Sequence, residues 1–406
     1  MNKVELLSPA GDLEKLKIAI MYGADAVYIG GKKFSLRARA SNFTIPDIIE
    51  GVKFAHERNA KVYVTMNIVP HDEDFDDLEE YLKELENAHV DGIIVSSLYI
   101  ASVAKKVAPK LERHLSTQAS VTNSKAINEY QKLGFSRCVL AREASIDEIR
   151  RIKENVNAEL EVFIHGGLCV SYSGRCMLSN HLTNRDANRG GCAHSCRWNY
   201  DLYDNDRKIN EGFNFNIGSK DLVGVNHVFD LIDIGVKSLK IEGRMKSLYY
   251  IATVVRGYRL LIDAYTKANG CRDNIDLKYY YDEISKAENR LMSIGFFNGH
   301  PTTNEQLYNN RSEEPTQEFV GIVKEYDKAT HIALVEVRNY FETNDKLEAF
   351  GPKLANTNFV AGKMENLDGE VVEVANHPLE LLKMKIDFEV HEFDMIRKCG
   401  TNLSWF

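Results

Sequence analysis

The 406-residue chain has no run of about 18 or more uncharged apolar residues, the length a membrane-spanning helix needs. The longest candidate begins at Gly92 and is broken at Lys105. Positive charge is not in excess: 51 Lys and Arg against 59 Asp and Glu leave a net charge of −8. That excludes retention on nucleic acid by bulk positive charge and leaves room for a local basic patch. The apolar stretch that follows Met1-Asn2-Lys3-Val4-Glu5 is interrupted at Asp12, Glu14 and Lys15, so no secretory leader is expected and a cytoplasmic location is. Low-complexity tracts and solenoid repeats are missing, and no G-x-G-x-x-G follows the first strand. With 44% apolar and 27% charged residues, a collagen-like or broadly disordered chain is excluded. The length suggests two or three domains.

Short β-branched runs begin near Val4, Ala26, Val62, Gly92, His114, Arg137, Leu160 and Lys237, each followed by an amphipathic stretch. The first seven are spaced 22–36 residues apart, the length of one strand, one helix and two turns. Asp12 is placed to cap a first helix that Gly23 ends, and Ser145-Ile146-Asp147-Glu148 is a capping box. Leu248, Ile251, Ala252, Val255, Tyr258 and Ile262 mark the apolar stripe of an eighth helix. Eight such units predict a (β/α)8 TIM-like barrel over residues 1–302, with an open doubly wound sheet as the rival. The step from the seventh to the eighth run is 77 residues. It predicts an insertion at about 168–225, at the C-terminal mouth where active sites of this fold lie. The insertion should contain a hairpin from Tyr200–Tyr203 through Asp204-Asn205-Asp206. Polar residues 303–316 suggest a linker. Residues 317–406, with strands expected at Phe319–Lys324, Ile332–Val337, Leu347–Ala349 and Phe388–Glu392 and a turn at Asp368-Gly369, suggest a small all-β barrel.

Seven cysteines in a reducing compartment favour metal binding or catalysis over disulfides. Four of them, Cys169, Cys176, Cys192 and Cys196, are spaced C-x6-C-x15-C-x3-C inside the insertion. Four soft thiolates suit zinc or an iron–sulfur centre. Zinc sites more often carry two tight knuckles, and the looser first pair here suits a larger inorganic core. Arg175, Arg185, Arg189, Arg197, His181 and His194 surround them and would stabilise an anionic centre. Cys138, beside Val139 and Leu140, is expected in the core.

The segments Glu161-Val162-Phe163-Ile164-His165-Gly166-Gly167-Leu168-Cys169 and Ser173-Gly174-Arg175-Cys176-Met177-Leu178-Ser179 resemble the signature of the collagenase-like peptidase family, class U, family thirty-two. Gly167 stands where that signature has Ser or Ala. Leu6-Leu7-Ser8-Pro9-Ala10-Gly11 and Lys240-Ile241-Glu242-Gly243-Arg244-Met245-Lys246 are also similar. A barrel followed by a short β domain resembles the family's tRNA 5-hydroxyuridine modification branch. The resemblance implies a protein supporting oxygen-independent hydroxylation of the wobble uridine of tRNA. It implies an iron–sulfur cluster (4Fe-4S) on Cys169, Cys176, Cys192 and Cys196, and prephenate as the hydroxyl source. Relatives also act on ribosomal RNA or a quinone precursor. A homologous family subunit is therefore a possible partner beside tRNA, with this chain then a non-catalytic component.

The peptidase name needs a free nucleophile. His165 near Cys169 would be its base, but four metal-bound cysteines leave none free, and neither H-E-x-x-H nor G-x-S-x-G is present. Ser8, Asn67, Ser97, Gln118, Arg142, His165, Glu242 and Arg244 are expected at strand C-termini, facing the mouth. His165, Glu242 and Arg244 are the catalytic candidates. Arg142, Arg37, Arg39, Asn67 and Gln118 are the substrate-binding ones. A dicarboxylate such as prephenate needs two guanidinium anchors, and Arg142 and Arg244 are the first choice. The alternative for Glu242 is a structural ion pair with one of these arginines. Lys and Arg in 175–197 and 237–259 form a candidate phosphate-binding strip.

Overall fold

The computed structural model describes residues 3–36, 42–213, 215–287, 290–307 and 318–398. Eight parallel strands follow one another around a closed barrel: β1 (Glu5–Pro9), β2 (Ala26–Gly30), β3 (Lys61–Met66), β4 (Gly92–Val95), β5 (Glu112–Leu115), β6 (Arg137–Val139), β7 (Glu159–Gly166) and β8 (Ser238–Ile241). β8 pairs with both β7 and β1, which closes the ring and settles the barrel against the open sheet. All eight begin within two residues of the runs read from the sequence.

The outer helices are α1 (Leu13–Met21), α2 (Ile45–His56), α3 (Leu78–Asn87), α4 (Leu98–Val107), α5 (Ser124–Lys132) and α6 (Ile146–Lys153). After α7 (Leu178–Thr183) in the insertion come α8 (Val228–Ile234), α9 (Leu248–Lys267) and α10 (Leu277–Ser285). The expected caps are made. Asp12 Oδ1 accepts the Lys15 amide at 2.9 Å. Ser145 and Glu148 each accept the other's amide. Gly23 leaves α1 at φ +112°, where a side chain would be strained. On α9, Ile251, Val255, Tyr258 and Ile262 are all buried, each apolar side chain contributing about 1.5–3 kcal/mol relative to exposure.

The inside of the barrel is layered. Leu7, Ala26, Tyr28, Tyr63 and Ile94 form a cluster of their own, apart from the larger core between strands and helices. At the N-terminal ends of the strands the interior is ionic. Arg137 contacts Glu5 (2.6 Å), Glu159 (2.8 Å) and Glu161 (3.2 Å), and Lys240 contacts Glu161 (2.7 Å). Burial pulls the Lys240 amine below its ordinary range and Glu161 opposes it. Burial alone would raise Glu161, but Lys240 and Arg137 hold it low.

The insertion leaves the end of β7 and returns through a short strand, Asp221–Val223, antiparallel to β7 with Leu222 opposite Gly166. Its hairpin pairs Tyr203–Asp204 with Arg207–Lys208 around Asn205 and Asp206, both at positive φ. The first strand therefore starts later than expected, because Tyr200 is bridged instead to Phe215. Of the stretch 303–316, Thr303–Glu305 form a 3-10 turn capped by Thr302, and residues from 308 on lie outside the described ones.

The C-terminal part is an antiparallel all-β unit built on β9 (Phe319–Asp327), β10 (Ile332–Val337), β11 (Lys346–Phe350), β12 (Leu381–Lys385) and β13 (Met395–Lys398). Met364–Glu365 and Val371–Val372 pair around Gly369 at φ +84°. Phe388–Glu392 is not a strand. Its alternation of apolar and charged residues mimics one, but Asp394 accepts the His391 amide (2.8 Å) and Phe393 turns at φ +71°. The unit docks on α9 and α10: Tyr249 stacks on Phe319, and Arg397 reaches Glu348 (2.6 Å) and Glu283 (3.2 Å).

Candidate active site at the barrel mouth

The described cysteines are thiols, not disulfides. Cys169 is exposed, and Cys176, Cys192 and Cys196 are half-buried. Burial holds the Cys196 thiol above its ordinary range, Arg197 opposes this, and Cys169, Cys192 and Cys176 add to it. Backbone contacts fix the loops that carry the four thiols. Cys176 N–H donates to Asn188 Oδ1, and Asn188 Nδ2 donates back to Cys176 O (3.1 Å). The His194 amide donates to Cys192 Sγ at 3.4 Å, and Arg185 reaches Cys192 O. Among the described residues, no three His, Cys, Asp or Glu side chains are drawn in closely enough to hold one bare metal ion.

Polar atoms around this quartet are incompletely used. Arg185 Nε, Ser195 Oγ, Arg197 Nη1, Ser219 Oγ and Asp221 Oδ2 are buried with no hydrogen-bond partner among the described residues. Such atoms are uncommon in folded proteins and each needs an explanation. The donors among them fit an anionic group seated on the thiols.

Beside the thiols lies a charge cluster. Asp221 is fully buried and faces Arg197 (3.2 Å), Arg290 (3.7 Å) and Lys246 (3.9 Å). Glu242 Oε2 accepts the Gly167 amide at 3.3 Å. A Cβ at Gly167 would meet Glu242 Oε2 at 3.4 Å and Arg197 Nη2 at 3.6 Å, ordinary contacts, so a small side chain is tolerated there. Gly166 has no such latitude: at φ +104° its Cβ would lie 2.7 Å from Glu242 O.

Arg142 and Arg244 both enter the mouth. The Arg142 guanidinium lies 3.9 Å from the Phe163 ring centroid. Arg244 is 6% exposed, and its Nη1 donates to Ser35 Oγ (2.7 Å) and Thr65 Oγ1 (2.8 Å). It occupies the space above Gly30, where a Cβ would sit 2.1 Å from that nitrogen. Asn67 donates to Ser116 and leaves its buried Oδ1 without a partner among the described residues. Gln118 stands half-buried in a 3-10 turn after β5.

Other expected residues have structural tasks. Ser8 donates to Pro9 O, and Ser97 caps α4. His165 is 1% exposed; its Nδ1 lies 3.2 Å from the Tyr258 hydroxyl and its ring sits against Tyr250 and Tyr258 of α9, on the outside of the barrel. The irregular register between β7 and β8 beside it accompanies this placement. Arg37 and Arg39 lie outside the described residues. Part of the basic strip is also spoken for: Arg189 binds Asp74 and Arg175 binds Ser120.

Residues 11–307 match the family model described as Peptidase family U32, and residues 315–397 match that of the Peptidase family U32 C-terminal domain. The chain belongs to peptidase family U32. It is 47% identical to the tRNA hydroxylation protein P1 of Bacillus subtilis, over 98% of this chain and 95% of that protein. It is 39% identical to the "23S rRNA 5-hydroxycytidine C2501 synthase" of Escherichia coli, over 66% of this chain and 41% of that protein. A protein named collagenase from Porphyromonas gingivalis is 33% identical over 74% of each chain.

Within this U32 chain, sequence reasoning missed Asp221 and Arg290, which lack any spacing motif, and placed Lys246 only in a basic strip without foreseeing that it faces Asp221. It took Arg197 as part of a general basic surround and did not foresee its ion pair with Asp221. It also missed the Glu161–Lys240–Arg137 network. The signal there was a charged residue recurring at inward positions of otherwise apolar strands.

Proposed function

We propose that this protein hydroxylates the wobble uridine of tRNA to 5-hydroxyuridine without molecular oxygen, using an iron–sulfur cluster held by Cys169, Cys176, Cys192 and Cys196. Prephenate is the hydroxyl source. The observation that carries the reading is the similarity, over 98% of this chain, to a tRNA hydroxylation protein, joined to four cysteine thiols in the insertion at a mouth lined by Arg142, Arg244 and Glu242.

The donor set fits the cluster. Four soft thiolates with cations around them suit an iron–sulfur cluster, whereas zinc sites more often carry two tight knuckles. A bound cluster supplies a Lewis-acidic or electron-transferring iron centre. Arg142 and Arg244 offer two guanidinium forks for the two carboxylates of prephenate. Arg244 is preorganised by Ser35 and Thr65, which reduces the entropy lost on binding. Glu242, oriented by the Gly167 amide, is the acid–base residue. Tyr172 and Trp198 stand exposed on the insertion, with Arg175 and His194 exposed nearby in sequence. Stacking on such rings and phosphate contacts with such cations are how single-stranded RNA is held. No helix among the described residues is long and apolar enough to cross a membrane.

A protease built on Cys169 would need a base, and His165 is engaged with Tyr258. Two experiments test the reading. Protein purified without oxygen should be brown, with iron and acid-labile sulfide in equal amounts. Deleting the gene should remove 5-hydroxyuridine derivatives from bulk tRNA. Colourless protein that cleaves gelatin, with tRNA unchanged by the deletion, refutes it.

A further inference from the structure

Cys169 and Arg142 line the same narrow cavity, together with Glu143, Ser173 and Phe296. Three of these residues are joined by hydrogen bonds that meet at Ser173. Glu143 accepts the Ser173 amide through Oε1 at 2.8 Å and the Ser173 hydroxyl through Oε2. Ser173 Oγ in turn accepts the Arg142 amide at 3.3 Å. Ser173 is 2% exposed and sits at φ +32°, ψ 50°. That backbone conformation costs a non-glycine residue roughly 1–3 kcal/mol and persists where the surroundings over-determine it. Here two bonds to one carboxylate do so, and bonds to an ionised acceptor are about twice as strong as neutral ones. Neither the barrel's hydrogen bonding nor thiol ligation requires this arrangement.

We propose that Glu143 is a positioning residue. Through Ser173 it ties the loop carrying Cys169 to the end of β6, and so sets the spacing between the Cys169 sulfur and the Arg142 guanidinium. Arg142 is held at two points, its amide by Ser173 and its guanidinium by the Phe163 ring. Loss of the carboxylate releases the first point and the cysteine loop together. The kinetic consequence rests on the reading of Arg142 as an anchor for the acidic cosubstrate; the geometric one does not.

The test uses full-length protein purified without oxygen, as wild type, Glu143→Ala, Glu143→Gln and Ser173→Gly. Amide hydrogen exchange in peptides spanning 140–144 and 168–176 should be at least tenfold faster in Glu143→Ala and Ser173→Gly. A peptide from α4 should be unchanged, which shows that the barrel is intact. Ser173→Gly removes the hydroxyl that joins Glu143 to the Arg142 amide, so the same gain in exchange there shows that Glu143 acts through Ser173. KM for prephenate should rise at least fivefold in Glu143→Ala with kcat within twofold. Glu143→Gln, which keeps an acceptor for the Ser173 amide, should recover part of the loss. Exchange at the wild-type rate, or a fall in kcat at unchanged KM, overturns the proposal. If the wild type forms no 5-hydroxyuridine from prephenate, the functional reading falls and the exchange measurement alone decides the role of Glu143.

Discussion

The two ends of the barrel use charge in opposite ways. At the N-terminal end, Glu5, Glu159, Glu161, Arg137 and Lys240 meet in pairs at 2.6–3.2 Å, with each carboxylate facing a cation. At the mouth, Arg197, Ser195, Ser219 and Asp221 keep buried polar atoms without partners among the described residues. The closed end pairs its charged groups with one another, and the mouth leaves a charged donor such as Arg197 Nη1 for something that binds. Buried charge inside one fold thus has two physical meanings, and pairing distinguishes them.

The comparison is most directly broken at the closed end. Arg137→Ala leaves Glu161 and Glu5 buried without their shared cation, and should lower stability by about 3–5 kcal/mol in urea denaturation. Glu161→Leu combined with Lys240→Met should cost less than the sum of the single changes. Strict additivity would mean that the groups do not act as a network.

Gly30→Ala tests the boundary between the two ends. Its Cβ would sit 2.1 Å from Arg244 Nη1, so the guanidinium must move. A stability loss of about 1–3 kcal/mol is expected from overpacking, together with a fall in tRNA hydroxylation larger than that loss explains. Retained activity would remove Arg244 from the site.

At the mouth, Arg142→Ala should leave stability within about 1 kcal/mol, the scale of its stacking on Phe163. It should lower kcat/KM for prephenate tenfold or more, about 1.4 kcal/mol in the transition state. A large loss of stability with unchanged kinetics would place Arg142 with the structural charges instead.

The smallest effect is expected from His114 and Glu112 at the closed end. A hydrogen bond from His114 holds the Glu112 carboxyl down to about 2, against the opposing effect of burial. A depressed carboxyl stabilises above its ordinary value of 4.5 and loses that contribution as pH falls toward its folded value. Glu112→Gln should therefore cost about 0.2–1 kcal/mol at pH 7, since the side chain is 41% exposed. The difference from wild type should vanish between about pH 4.5 and pH 2.

Much of this was legible before the structure. Strand starts were readable because β-branched runs recur at the length of a βα unit, and caps such as Ser145/Glu148 are local. The thiol spacing was readable because the four cysteines lie within one insertion. The Phe388–Glu392 error came from a period-2 pattern that a single side-chain bond to Asp394 overrides. His165 packs against Tyr250 and Tyr258 where strand parity alone predicted that it faces the mouth, and β7 is irregular at that point.

The amino-acid order by itself determined the elements, their succession and the types of donor at the mouth, because each depends on neighbours within a turn or a strand. Only the tertiary fold decided which distant groups meet: Lys240 with Glu161, Arg197 with Asp221, Glu143 with Ser173. Ion pairing and hydrogen bonding act over a few ångströms, and the Lys240–Glu161 pair reaches that distance only where β8 lies beside β7.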